Sequence, residues 1–342
     1  MSLFTGRRRP ASLDALFAPR SIAVVGASSD PRKIGGRPIA FLKRDGFAGA
    51  ILPINPQHAE VQGLRAYPSL AELPEAPDLV LIALPASRTT EAVAAAAARG
   101  VKVAVLFSSG FAEAGEEGQA RQAQLAATIG DSPMRLLGPN CIGAASIANG
   151  AYATFAVALE TGAPPAGGVG MVSQSGALAS HLHVLARMTH LGVSRWIATG
   201  NEVDIDVADG IAWLAGDAAT RVIICTLESG RDGARLRAAL EMARAAGKPV
   251  FVLRMGGSAI GRAAAASHTG ALAGDDAIFD AVLRQGGAVR VNSIEALLDA
   301  AYVAETALAR KVSRERMARA RLGVVTLSGG VGVLLADVAE RL

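Results

Sequence analysis

The run RAAAASHTGALAGDD, residues 262–276, sets His268 between four alanines and the small residues Thr269, Gly270 and Ala271. A core histidine normally has larger neighbours, and a metal-binding histidine normally has a second ligand one helical turn away; the run offers neither. Small neighbours instead leave room for a bulky group to approach the ring closely. A second chemical feature lies near the N-terminus, where the apolar run SIAVVGAS, residues 21–28, reaches Gly26 ahead of a helical stretch. A strand-to-helix turn of this kind offers a phosphate the unsatisfied first amides of the helix and its dipole. The fingerprint for NAD is nevertheless missing. In GASSDPRKIGG, Ser28 and Pro31 stand where the second and third glycines belong, and the next strand ends at Asn55 and Pro56 with no acid for a ribose 2′-hydroxyl. Arg32, Lys33 and Arg37 are either contacts for a more highly phosphorylated nucleotide or ordinary helix-surface charge.

The elements that must position these residues read as an alternation of strands and helices. GAILPINP (49–56), LVLIALP (79–85) and KVAVLFSSG (102–110) are continuous apolar runs, the pattern of parallel strands buried on both faces. Between the last two, ASRTTEAVAAAAARG predicts a helix with Thr89 and Thr90 near its start and Gly100 as its stop. After an N-terminal arm (1–20), residues 21–150 therefore predict a Rossmann-like, doubly wound α/β domain. ETGAPPAGG (160–168) is the best linker candidate. The alternation then restarts with VGMVSQSG (169–176), VSRWIATGN (193–201), RVIICTLE (221–228) and KPVFVLRMG (248–256). This predicts a second open α/β domain over 167–306, flavodoxin-like, both domains having parallel sheets. A charged linker helix is expected over 307–321. Residues 322–342 echo 170–188, each reading as strand, Ser-Gly turn and apolar helix, so they are expected to begin a third, truncated α/β domain in a fragment of a longer polypeptide.

Composition narrows the function classes. The chain has 342 residues, half of them hydrophobic, but no apolar run reaches the about 18–20 residues of a membrane span. No apolar segment follows Arg7, Arg8 and Arg9, so a secretory signal is not expected. The net charge is only +4 and aromatics make up 4%, which leaves few stacking platforms for single-stranded nucleic acid. Cys141 and Cys225 form neither a disulfide framework nor a zinc spacing. The expectation is a cytoplasmic protein with no metal site and no membrane or nucleic-acid partner.

The segments GASSDPRKIGGRPIAFLKRDGFAGAILPINP, IALPA, SSGFAE and above all LLGPNCIG (136–143) resemble the CoA-binding domain of ADP-forming (NDP-forming) acyl-CoA synthetases, relatives of the succinyl-CoA synthetase α subunit. The resemblance runs from about Ser12 to the C-terminus. It implies that Gly26, Ala27 and Ser28 line the phosphates of coenzyme A, and that Asn55 and Pro56 border its adenosine end; Lys33 is a cofactor-binding candidate by its charge alone. Ala83, Leu84 and Pro85, with Ser108, Ser109 and Gly110, would border the pantetheine, and Asn140 would sit where the thiol arrives. Some relatives carry Lys shortly after the proline matching Pro56; Gln57 stands here instead. Cys141 shares the motif but reads as a packed small residue.

In that family the second domain carries a transiently phosphorylated histidine in a segment like SHTGALAG, which identifies His268 as its match. Neutral imidazole is a competent nucleophile near neutral pH, and the alanines and glycines leave room for the phosphoryl group. The resemblance further implies that Ser175 and Gly176, at a helix start, cradle that group. Glu228 matches a glutamate that hydrogen-bonds the histidine and fixes its tautomer, and Asn201 is a weaker phosphate-site candidate. The implied reaction converts ATP, a small carboxylic acid and CoA into acyl-CoA, ADP and phosphate through phosphohistidine and acyl phosphate. No ATP-grasp segment or Walker loop is readable in the chain, so ATP/ADP and Mg²⁺ are expected on another domain or a partner subunit, in an oligomer. The alternative is a non-synthetase module that senses CoA or acyl-CoA within a larger regulatory or acetyltransferase protein.

Overall fold

The apolar runs pair as strands in a computed structural model that describes residues 12–130, 132–258, 260–261, 275–313, 315–316, 319, 321 and 323–340. Residues 1–305 form one unit and 306–342 another. In chain order the first unit begins with α1 (Asp14–Phe17), β1 (Ser21–Val25), α2 (Arg37–Arg44) and β2 (Ala50–Ile54), then a small ribbon, β3 (Glu60–Val61) and β4 (Leu64–Arg65). It continues with β5 (Leu79–Ile82), α3 (Thr89–Arg99), β6 (Val103–Leu106), α4 (Glu116–Ile129) and β7 (Arg135–Leu137). These strands make a parallel sheet in the order β2-β1-β5-β6-β7. Every residue of β5 and β6 is buried, as the unbroken apolar runs require of strands covered by helices on both faces. α3 starts at Thr89 and stops at Gly100, whose φ of 86° is the left-handed cap expected of that glycine.

The chain then forms β8 (Gly143–Ser146), β9 (Ala151–Thr154), β10 (Ala166–Ser173), α5 (Gly176–Met188), β11 (Val193–Ala198), α6 (Val207–Gly216) and β12 (Val222–Leu227). α7 (Gly233–Ala245), β13 (Val250–Arg254), α8 (Asp276–Gly286), β14 (Val289–Val291) and α9 (Ile294–Ala309) follow. The second sheet has the order β14-β13-β12-β10-β11-β8-β9. Strands β10 to β14 are parallel, but β8 and β9 run antiparallel. The second sheet is thus mixed, where a parallel one was expected. The hairpin covers the outer edge of β11, which would otherwise expose a row of unpaired backbone groups.

With the ribbon set aside, both parallel arrays have the order 2-1-3-4-5, so each has a topological switch point beside its first strand, the usual ligand crevice of such sheets. Two boundaries are finer than the sequence suggests. Part of the linker candidate is strand, because β10 already begins at Ala166. Gly167 is needed there: a Cβ on it would come within 2.3 Å of the Gly192 Cα on the neighbouring strand's approach. The arm residue Phe17 is fully buried and stacks on Trp213 of α6 at 4.3 Å, which fastens the start of the described chain to the second sheet's helical layer. In the separate C-terminal unit the expected helix is present as α10 (Gly329–Glu340); among the described residues, 323–328 pair with no strand.

Candidate functional site

At the first switch point β1 passes into Gly26, whose φ is +82°. Its amide and that of Ala27 both donate to the carbonyl of Ile54, at 3.2 and 3.3 Å. A Cβ at position 26 would lie 2.4 Å from the Ala83 carbonyl oxygen, so only glycine lets β1 and β5 close this tightly while holding a positive φ. Beside the turn opens a cavity of about 710 Å³. Of the residues implied for CoA, Gly26, Ala27, Asn55, Pro56 and Leu84 line it. Its far wall is α3, presenting Ala92, Ala95 and Ala98 between Arg88 and Arg99.

Several expected contacts are committed to the protein itself. The Asn55 amide nitrogen donates to the Ala27 carbonyl at 2.8 Å, and its oxygen accepts from the Gln57 amide at 2.8 Å. Asn55 therefore braces two strand ends. The Ser28 amide donates to Gly35 at 3.3 Å, folding the 28–36 loop on itself. Arg32 pairs with Asp30 and Arg37 with Glu160, which resolves two of the three basic residues as structural charge; Lys33 is exposed and lies outside the cavity lining. Ala83, Pro85, Ser108, Ser109, Gly110 and Asn140 also lie outside that lining. The Ser108 hydroxyl donates to the Leu84 carbonyl. Cys141 is buried, its thiol pushed up to about 12 by burial, so it is packing rather than a nucleophile.

Asn140 and Asn201 meet where the two sheets adjoin. The Asn140 amide donates to Asn201 Oδ1 at 3.2 Å, and Asn201 donates to Glu113 Oε2 at 2.5 Å and to Gln122 Oε1 at 2.9 Å. Glu113 also accepts from the amides of Gly110 and Phe111 at 2.6 and 3.1 Å. Burial opposes its ionisation, but these hydrogen bonds outweigh burial and hold the carboxyl below its usual range. Asn201 is thus a seam residue joined to Asn140. Sequence reasoning missed Glu113, although it ends the quoted SSGFAE segment.

The second switch point brings together the ends of β10 and β12. The Ser175 hydroxyl caps α5 by accepting from the Leu178 amide at 3.3 Å, and Gly176 is the first helical residue. The other first-turn amides of α5 give this end its anion-attracting character. Glu228 follows β12 directly and is buried. Gln174 links the two: its Oε1 accepts from the amides of Glu228 and Ser229 at 2.7 and 3.1 Å, and its Nε2 donates to Glu202 Oε2 at 3.0 Å. β13 pairs with β12 so that Leu227 lies beside Arg254, and therefore ends at the same sheet edge. The chain from there to α8 includes residues 262–274, which lie outside the described residues; His268 is among them.

Glu202 gives no signal in the sequence beyond standing next to Asn201. It is buried at 3% exposure, with the Thr199 hydroxyl and the Val207 amide donating to Oε1 at 2.9 and 3.0 Å. Burial, reinforced by neighbouring Asp206, pushes its carboxyl from 4.5 up to about 7. The folded protein then retains a proton that the unfolded chain has released, so this group's stability contribution is full below the unfolded pKa and is lost as pH rises through the folded one. Glu202→Gln should therefore gain on the wild type by about 3 kcal/mol between pH 4.5 and 8. Denaturant titrations of both proteins across that range check it. Parallel stability curves would assign the pH dependence elsewhere.

Residues 166–304 match the succinyl-CoA ligase-like flavodoxin domain and residues 20–146 a CoA-binding domain. The chain is 35% identical over 331 residues to the α subunit of acetate–CoA ligase [ADP-forming] II of Pyrococcus furiosus, covering 96% of this chain and 69% of that subunit. It is 38% identical to a trans-feruloyl-CoA synthase of an unknown prokaryotic organism, covering 96% of this chain but 46% of that protein. Among solved structures, the dinucleotide-forming acetyl-coenzyme A synthetase 1 of Ca. Korarchaeum cryptofilum, in complex with phosphate and ADP, superposes with a TM-score of 0.80 at 33% identity, over 86% of this chain and 62% of that one. Among the described residues no helix is long and apolar enough to cross a membrane.

Proposed function

The chain belongs to the ADP-forming acyl-CoA synthetase family, and from that premise we propose that it binds coenzyme A at the first switch point and carries a phosphohistidine, His268, for the second. The observation that carries the first half is the cavity of about 710 Å³ beside Gly26, in a domain matched to CoA-binding proteins and without the acid that NAD requires. For the second half, the support is the convergence of the α5 N-terminus and Glu228 at one sheet edge, in the chain order the family uses. The relatives named above are a subunit of an ADP-forming acetate–CoA ligase and a feruloyl-CoA synthase, which favours this reading over an acyl-CoA-sensing module.

The proposed reaction has three balanced steps. The His268 imidazole attacks the γ-phosphorus of ATP, forming an N–P bond and releasing ADP. A carboxylate of a small acid then attacks that phosphorus, giving acyl phosphate and free histidine. Finally the CoA thiol, losing its proton, attacks the acyl carbon and expels inorganic phosphate. ATP and Mg²⁺ are assigned to an ATP-grasp domain or subunit, and the working assembly to an oligomer in the cytoplasm, where the buried free thiols of Cys141 and Cys225 would stay reduced.

Calorimetric titration of this protein with CoA and with NAD tests the binding half. CoA is expected to bind at least tenfold more tightly. Tighter binding of NAD would overturn the assignment.

A further inference from the structure

The cavity at the first switch point is lined by three charged side chains, Arg88, Glu91 and Arg99, and they differ in what they already hold. The Arg99 guanidinium donates to the carbonyls of Leu70 and Leu73, at 3.3 and 2.6 Å, so it is spent on tying the turn at 70–72 to α3. Arg88 is exposed; its amide donates to the Pro85 carbonyl at 2.9 Å, but its guanidinium has no hydrogen-bond or ion-pair partner among the described residues. It stands at the N-cap of α3, where no side chain caps the helix, since a guanidinium offers no acceptor; the Thr89 hydroxyl donates backwards to the Ala86 carbonyl at 2.8 Å. The backbone amides that a strand-to-helix turn normally offers an anion are not free here. Those of Gly26, Ala27 and Ser28 all donate to carbonyls of the protein, and Lys33 is not in the lining.

A phosphorylated ligand in this cavity needs a cation that the turn does not supply. We propose that Arg88 is the phosphate-binding cation of the cavity, an inference that rests on the CoA reading and names the residue that gives it charge selectivity. A guanidinium with no side-chain partner among the described residues fits a phosphate oxygen pair, since it can donate two parallel hydrogen bonds to one group while the positive end of the α3 dipole adds attraction.

The test compares wild type, Arg88→Ala and Arg88→Lys by calorimetry with CoA, 3′-dephospho-CoA and pantetheine. Arg88→Ala should weaken CoA about tenfold to a hundredfold, the loss expected for a charge-assisted hydrogen bond, with Arg88→Lys between the two. Pantetheine, which carries no phosphate, should bind all three proteins alike. Because the Arg88 side chain has no partner among the described residues to lose, the melting temperature should not move. If dephospho-CoA is unaffected by Arg88→Ala, the contact is with the 3′-phosphate; if it weakens as CoA does, the contact is with the diphosphate, and both outcomes support the proposal. Unchanged CoA affinity in Arg88→Ala, or a loss shared equally by pantetheine, overturns it. A wild-type protein that binds no CoA at all instead overturns the underlying functional reading.

Discussion

Exchange of His268 for asparagine is expected to abolish phosphorylation of the chain while leaving CoA affinity near wild type. With γ-labelled ATP, Mg²⁺ and an ATP-grasp subunit, the wild-type protein should acquire a phosphoryl label that is lost in acid and survives base, as a phosphoramidate does and a phosphoserine does not. The physical reason is narrow. Only imidazole offers a nucleophilic lone pair at neutral pH, and an asparagine of similar size and polarity offers none. The Ser175 cap, the first turn of α5 and Glu228 lie at the edge of the second sheet, whereas the CoA cavity belongs to the first, so the two functions should separate cleanly. Chemically made acyl phosphate should still be converted to some acyl-CoA by the variant, because that step bypasses the histidine. A label that persists in His268→Asn, or that resists acid, would sink the phosphohistidine mechanism and return the sensing module to consideration.

The parts of this molecule that sequence made legible are those where one physical cause dominates. β5 and β6 are buried at every residue, and solvent exclusion on both faces leaves an unbroken apolar run. Gly26, Gly100 and the α5 start are visible because few residue types satisfy a positive φ or a helix cap. β8 and β9 were not legible. Their residues, GAAS and AYAT, are mostly small rather than strongly apolar, and they are strands because β8 covers the edge of β11 and β9 pairs with β8. Glu113, Gln174 and Glu202 escaped for another reason: each acts on other polar groups across the fold, and no local spacing records a hydrogen bond between residues 113 and 201 or 174 and 228. Asn55 illustrates the converse, since its position was legible while its use, bracing Ala27 against Gln57, was visible only in three dimensions. His268 lies outside the described residues, so its proposed role rests on the resemblance of SHTGALAG to the family's segment.

Replacing Arg135 with methionine is expected to cost about 3–5 kcal/mol of folding stability, the range for breaking a buried ion pair from one side. Arg135 opens β7 in the first sheet and reaches into the second lobe, where its Nε donates to Asp204 at 2.9 Å and its Nη2 to Asp209 at 2.8 Å. Arg235 of α7 meets the same cluster from the other side, bonding Asp206 and Asp209 at 2.7 and 2.8 Å. All three aspartates are largely excluded from solvent. Burial disfavours the Arg135 charge, but Asp204 and Asp209 outweigh it and raise its pKa further. Methionine fills similar space yet leaves Asp204 with only the Leu136 amide among its described partners, and leaves Asp209 with Arg235 and the Asp206 amide. Asp206 and Asp209 also form the capping box of α6, so the damage should extend to the helix that follows the Asn201 and Glu202 seam. Denaturant unfolding should therefore show a lower midpoint and, because this network bridges the two sheets, a broader or two-step transition. The double variant Arg135→Met with Asp204→Asn should recover part of the loss, since it removes one of the charges left behind. A wild-type midpoint in Arg135→Met would mean that apolar packing alone holds the lobes together, and that the seam joining Asn140 to Asn201 does not depend on charge.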